Sequence, residues 1–322
     1  MRRRVDYGRI AVLLSMVILG IFAVDFARRT INRWRGENGQ LIVQTPSGVD
    51  SGGITPPQNN SVSSQEDQNA VTTTTTEAAN QPKLTLLASE VYIGSLVLVD
   101  ADHPWRGNAE LVTFADLDYA HFRLPSRALE TARSSSQSLV TMFKDFYQAT
   151  SLPNVMIYAT TKTPTAAAYG MEIPERATGL TIDLTVWDDT TQSHSAFKNE
   201  GNYTWLTTHC AEYGYVQRFP ADKAEITGVE GNIWHYRYVG VPHAAYMTQQ
   251  QLCLEEYLSF LQENHTSDHP LTVNANGQSY QISYIPASTD GSMLEIPVPA
   301  NTPITVSGDN MGGYILTIQN KP

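Results

Sequence analysis

Several residues along the chain are of types that carry chemistry. Asp116 with Asp118, and Asp188 with Asp189, are paired carboxylates. Both pairs lie in polar, loop-like sequence, where such residues are solvated rather than held as a general acid and base. Cys210 and Cys253 fall on two different predicted helices. A disulfide pinning those helices together and two buried free thiols both fit the spacing. His194 stands in the polar stretch from Asp188 to Asn202 and reads as a solvated loop histidine. His103 and His243 are assigned surface or packing roles. His235 is set among Trp234, Tyr236 and Tyr238, whose alternation marks strand packing.

The elements that must position these groups are mixed. A Val/Ile/Leu-rich strand is expected within Glu90 to Val99, and Leu139, Met142, Phe143 and Phe146 recur at the spacing of one helical face. Val155 to Tyr158 is a buried strand after Pro153, and Thr178 to Val186 alternates as another. Trp205 to Tyr213 reads as a helix closed by Gly214 in the left-handed conformation. Ile233 to Val239 alternates again. Gln249 to Leu261 is an amphipathic helix through Leu252, Leu254, Tyr257, Leu258 and Leu261. Helices and strands interleave without regular βα units, so the expected class is α+β. Beyond Pro270 a hairpin turns at Asn276-Gly277, and Ile296 to Val298, Ile304 to Val306 and Tyr314 to Ile318 add short strands. This all-β module of about fifty residues needs a neighbour to pack on.

The 322 residues carry a net charge of -11, unevenly spread. Residues 1 to 35 hold eight arginines against Asp6 and Asp25, a charge of +6, and the remainder carries -17. So acidic a body repels phosphate backbones, and no nucleic-acid partner is expected. The basic residues bracket the apolar run Ile10 to Val24, read as a single-pass membrane anchor, with a cleaved signal peptide and a secreted protein as the alternative. From Gly36 the chain is rich in Gly, Ser, Thr, Asn, Gln and Pro, a disordered stalk with a reach on the order of 40 Å. The expected organisation is an anchor over 1–35, a stalk over 36–83, a larger α+β domain over 84–266 and the β-module over 267–322.

One stretch is specific. WLTTHCAEYGYVQRFP (Trp205 to Pro220), EITGVEGNIWHYRYVG (Glu225 to Gly240) and LCLEEYL (Leu252 to Leu258) follow one another. Their order and spacing resemble the VanY-like D-alanyl-D-alanine carboxypeptidases, whose pattern runs W-L-x-x-x-A-x-x-Y-G-F, R-Y-P, I-T-G, E-P-W-H-x-R-Y-V-G and L-E-E-Y-L. LVLVDADHPWRGNAELV (Leu96 to Val112) resembles the family's opening strand and loop. ERATGLTIDL (Glu175 to Leu184) lies where the family has its S-x-H-x-x-G-x-A-x-D metal motif. The resemblance covers about residues 90 to 261. It implies a zinc-peptidase fold with a small antiparallel sheet, placed outside the membrane and facing the cell wall.

The resemblance also implies Zn²⁺ held by His, Asp and a second His, with a glutamate base three residues before the second His. Residue by residue, Gly179 takes the motif glycine, Asp183 the ligand aspartate and His235 the second histidine. Arg176 stands at the first histidine and cannot offer a lone pair. Asn232 stands at the base, and an amide does not accept the water's proton. Lys162 is the nearest equivalent of the arginine that clamps the substrate's carboxylate. Zinc is therefore not expected, with Asp183 and His235 as its ligands if it is retained, and Glu230 or His194 as the residues that would have to rescue the site. Arg176 is expected to pair with Asp183, beside a neutral His235. Three functions follow: a catalytically degenerate, wall-facing pseudoenzyme that binds a peptidoglycan stem peptide or a partner protein, an active zinc D,D-carboxypeptidase, or a structural module. The first is adopted.

Overall fold

A computed structural model describes residues 41–42, 81–161 and 173–321. The expected anchor, nearly all of the stalk and Lys162 lie outside them. Among the described residues no helix is long and apolar enough to cross a membrane. The chain contributes β1 (Leu41–Ile42) and β2 (Lys83–Leu86), and then an antiparallel pair, β3 (Leu111–Thr113) with β4 (Glu130–Ala132).

The helical face read from Leu139, Met142, Phe143 and Phe146 forms α1 (Arg133–Thr150), which ends where Ser151 takes a φ of 59°. That face packs on β5 (Val155–Ala159) and β6 (Thr181–Asp188) through Val155, Ile157, Ile182 and Leu184, all essentially buried. At about 1.5–3 kcal/mol for each such side chain, this contact contributes several kcal/mol of cohesion beneath the site. β7 (Ser193–Ala196) pairs with the far half of β6. Next come α2 (Thr204–His209), a 3-10 turn over Cys210–Tyr213, and β8 (Tyr215–Gln217), with Gly214 at φ 81° as the expected left-handed stop. After α3 (Ala224–Thr227), β9 (His235–Tyr238) completes an antiparallel sheet of order β5-β6-β9-β8.

Two expected elements differ. Glu90 to Val99 is not a strand: Ala88–Tyr92 is a 3-10 turn, and Gly94 takes a φ of 132° with Ser307 so close that a β-carbon would overlap it. Leu96 and Leu98 are buried, but their N–H groups donate to Ser307 Oγ and to the Asp309 carbonyl at 2.8 and 2.9 Å rather than to a ladder. The single helix expected from Gln249 is two, α4 (Val241–Gln250) and α5 (Leu254–Asn264). Gln251 breaks them with a φ of 56°, and Glu256 reaches back to the Cys253 N–H at 3.0 Å to start the second. Cys210 and Cys253 are both buried free thiols, pushed up to about 12 by burial first of all.

The C-terminal hairpin is β10 (Leu271–Ala275) and β11 (Gln278–Pro286), turning through Asn276 and Gly277 at φ 49° and 73°. β12 (Leu294–Pro297) pairs with β2, while β13 (Pro303–Gly308) and β14 (Gly313–Gln319) extend the second sheet in the order β1-β13-β14-β11-β10. Its Leu271, Val273, Ile282 and Ile315 cover Met247, Leu254, Tyr257 and Leu258 of the helix pair. His243 joins these layers, its ring nitrogens against Tyr257 Oη at 2.8 Å and Thr317 Oγ1 at 3.1 Å.

Burial drives the His243 pKa down to about 3, so the folded protein holds it neutral. A histidine with a depressed pKa contributes stability above its unfolded value of 6.5, and that contribution is lost as pH falls toward 3. The urea midpoint is therefore expected to decline already from about pH 6.5 downward, before ordinary carboxylates titrate. His243→Gln should flatten the part of the curve above about pH 5. An unchanged acid limb in that variant would contradict the assignment.

Candidate functional site

The register of β6 on β9 decides which side chains meet. Thr181 pairs with Arg237, Ile182 with Tyr236, and Asp183 with His235. Because side chains alternate along a strand, Ile182 and Tyr236 enter the core beneath α1 while Asp183, His235 and Arg237 share the other face. Arg218 follows β8 and donates its N–H to the His235 carbonyl at 3.1 Å, which places it in the same row. A 3-10 turn over Pro174–Thr178 enters β6 and brings in Glu175 and Arg176. Gly179 closes that turn at φ 69°, with Leu111 and Ala132 packed where a β-carbon would stand.

These residues form one buried ionic network. Arg176 places Nε and Nη2 on the same oxygen of Asp183, Oδ2, at 3.0 and 2.6 Å. His235 Nδ1 meets the other oxygen of Asp183 at 2.5 Å, and its Nε2 meets Glu175 Oε1 at 2.8 Å. Glu175 Oε2 accepts from Arg218 Nε and Arg237 Nη1, both at 3.0 Å. Arg218 continues to Glu255 through two bonds at 2.9 and 2.6 Å. Arg237 also donates to the carbonyls of Ser95 and Val97, at 3.1 Å each. Phe219 stacks on the His235 ring with centroids 5.3 Å apart. Glu175, Arg176, Asp183, Arg218, His235 and Arg237 are each at most 4% exposed, so water cannot supply the missing partners if one is lost.

The protonation states follow from this wiring. An imidazole with a carboxylate at each nitrogen donates from both only as the imidazolium. Burial by itself lowers the His235 pKa, but the bonds to Asp183 and Glu175 outweigh it and the net shift is upward. The neutral His235 expected from sequence is thus corrected. Burial likewise opposes ionisation of Glu175, yet Arg218, His235 and Arg237 hold its carboxyl far below the usual range.

A family model described as VanY: D-alanyl-D-alanine carboxypeptidase matches residues 159–241, the span that holds β6, β7, β8 and β9 and only the last residue of β5. Residues 159–241 carry a VanY-family domain. It is 28% identical to a D-alanyl-D-alanine carboxypeptidase of Enterococcus faecium over 74% of this chain and 80% of that protein. Over 87 residues, 26% of this chain and 30% of its relative, it is 40% identical to a D-alanyl-D-alanine carboxypeptidase of Enterococcus faecalis. The vancomycin resistance D,D-dipeptidase VanXYg, solved in complex with a D-Ala-D-Ala phosphinate analogue, superposes with a TM-score of 0.63 at 26% identity, over 74% of this chain and 99% of that one.

The family resemblance implies zinc, and the donor set of this VanY domain does not fit it. Both oxygens of Asp183 and both nitrogens of His235 already carry partners, and Arg176 brings a positive charge where a ligand would be needed. Glu175 and Asp183 lie against opposite edges of the His235 ring, so the three groups do not converge on one ion. Asn232 caps the strand instead of serving as a base: its Oδ1 accepts the His235 N–H at 3.1 Å, and its Nδ2 is buried without a partner. Glu230 is exposed in the preceding loop. His194 is exposed on β7, tilted over Tyr158 with centroids 4.6 Å apart, and neither residue joins the network. His103 is tied to Asp100 at 2.9 Å, and Asp189 to Arg123 at 3.1 Å. Asp188 and Asp116 accept local bonds from Thr190 and Thr113.

Glu175, Arg218, Arg237 and Glu255 were missed as site residues, although each lies in a segment quoted for the resemblance. The available signal was the alternation itself. Arg237 is two residues from His235 on a strand whose other face is aromatic, so it must be buried with the histidine, and a buried arginine requires a buried acid.

Proposed function

We propose that the protein is a membrane-tethered, extracytoplasmic VanY-family protein that has lost hydrolysis and retains peptide recognition, its ligand a peptidoglycan stem peptide ending in D-Ala-D-Ala. The observation that carries this reading is Asp183: Arg176 and His235 take both of its oxygens, leaving the sheet face without the centre that would activate water. Three arginines and the imidazolium against Glu175, Asp183 and Glu255 leave one net positive charge under that face. Such a field favours a ligand's terminal carboxylate. Relatives named for D-alanyl-D-alanine carboxypeptidase activity, and VanXYg with its D-Ala-D-Ala analogue, support the choice of peptide. The basic, apolar N-terminus and the long polar stalk support tethering at wall distance.

Titration calorimetry of the full chain with a pentapeptide ending in D-Ala-D-Ala tests the reading. Saturable binding is expected, together with intact peptide when the same sample is assayed for free D-alanine. Binding that persists unchanged after the peptide's terminal carboxylate is amidated would contradict it, as would release of D-alanine that a chelator abolishes.

A further inference from the structure

We propose that Arg176 is the resident cation of this centre, a guanidinium built into the chain that holds Asp183 in place and makes the fold independent of metal. A carboxylate 2% exposed on the inner face of a sheet cannot stay ionised without a cation close by. Arg176, itself 4% exposed, supplies one with two N–H groups on a single oxygen. The second oxygen is left to His235, so the arginine and the histidine divide the carboxylate between them.

The turn that carries Arg176 is itself fixed. Its N–H donates to the Ile173 carbonyl at 3.2 Å, and its own carbonyl accepts from Gly179 at 2.9 Å. Thr178 Oγ1 donates to the Glu175 carbonyl at 2.7 Å, which locks the neighbouring residue of the same turn. Arg176 and Glu175 thus come from one rigid turn and grip three neighbouring segments from adjacent positions: Arg176 holds β6 at Asp183, and Glu175 holds β9 at His235 and Arg237 and the end of β8 through Arg218, the residue that follows it. A bound ion joins ligands from separate segments in the same way. Here the covalent chain does so, and nothing has to be acquired after synthesis. Arginine suits the position because it is weakly hydrated and always charged, whereas lysine would bring one point charge and a larger desolvation penalty.

The test uses thermal unfolding of the full chain and a double-mutant cycle, with no peptide present, so its outcome is separate from that of the binding experiment above. EDTA is expected to leave the melting temperature within about 1 °C, because the centre has no metal to lose. Arg176→Met and Asp183→Asn are each expected to lower it by on the order of 10 °C. The double variant should lose clearly less than the sum of the two, because each partner's removal relieves the other of a buried, unmatched group. If Arg176→Met fails to fold, Arg176→Lys keeps the measurement: retention of charge without the two-donor grip should place it below the unaltered protein yet still folded. A fall of several degrees with EDTA, fully additive losses, or a lysine variant that also fails to fold would overturn the proposal.

Discussion

Replacing Glu175 with alanine is expected to abolish the cooperative fold of the VanY domain. Its carboxylate is 0% exposed and holds Arg218, Arg237 and His235 at once. Removing one partner from a buried ion pair costs about 3–5 kcal/mol, since the charge left behind is desolvated and unmatched. Here three cations lose a shared anion, and a domain is commonly stable by only about 5–15 kcal/mol. Glu175→Gln keeps the shape and an acceptor oxygen, and should fold with a much lower urea midpoint. Far-UV and near-UV circular dichroism of both variants decide the matter: a native-like alanine variant would show that the network contributes little. The pH dependence has matching signs. Glu175 has a depressed pKa, so its contribution is present above its unfolded value of 4.5 and is lost in acid. His235 has a raised one, so its contribution is complete below about pH 6.5 and is lost as pH rises through the folded value.

The converse expectation concerns gain of metal. Arg176→His with Asn232→Glu removes the resident cation and restores an imidazole beside Asp183 and His235, together with a carboxylate three residues before His235. Once Arg176 is gone, Asp183 has a free oxygen, and His235 can lose its Nδ1 proton to solvent, freeing that lone pair for Zn²⁺ while Nε2 stays on Glu175. The double variant is expected to move from essentially no zinc to about one per chain, with a melting temperature that rises on adding zinc and falls on adding chelator. A variant that folds and still excludes zinc would mean that the network, not Arg176 alone, blocks the site.

Much of the architecture was legible because it is written in apolar periodicity. The α1 face and β10 of the Asn276-Gly277 hairpin each bury one side, and the alternation of β6 and β9 separates an apolar face from a charged one, so their sequences say which residues face the core. Arg176 beside Asp183 was legible for a different reason, since an aspartate placed to face a cation needs one when the ligand histidine is absent. Most of what stayed hidden depended on partners distant in sequence. Leu96 to Val99 looks like a strand, but its N–H groups go to Ser307 and Asp309, more than two hundred residues away. The charge state of His235 likewise depends on Glu175, sixty residues earlier, which only the folded register brings to its second nitrogen. The break at Gln251 was missed for another reason: its causes are local, a left-handed residue and the Glu256 cap on Cys253, but the apolar period runs on across them.

The most direct test of the account is metal analysis of the unaltered full chain, purified after growth with added zinc and without chelator. A VanY fold whose centre is closed by Arg176, His235 and Glu175 predicts far less than one zinc per chain, with no metal retained after gel filtration. Zinc at about one per chain, released only by chelator and restored on readdition, would contradict it, because such an ion requires the lone pairs that these salt bridges occupy.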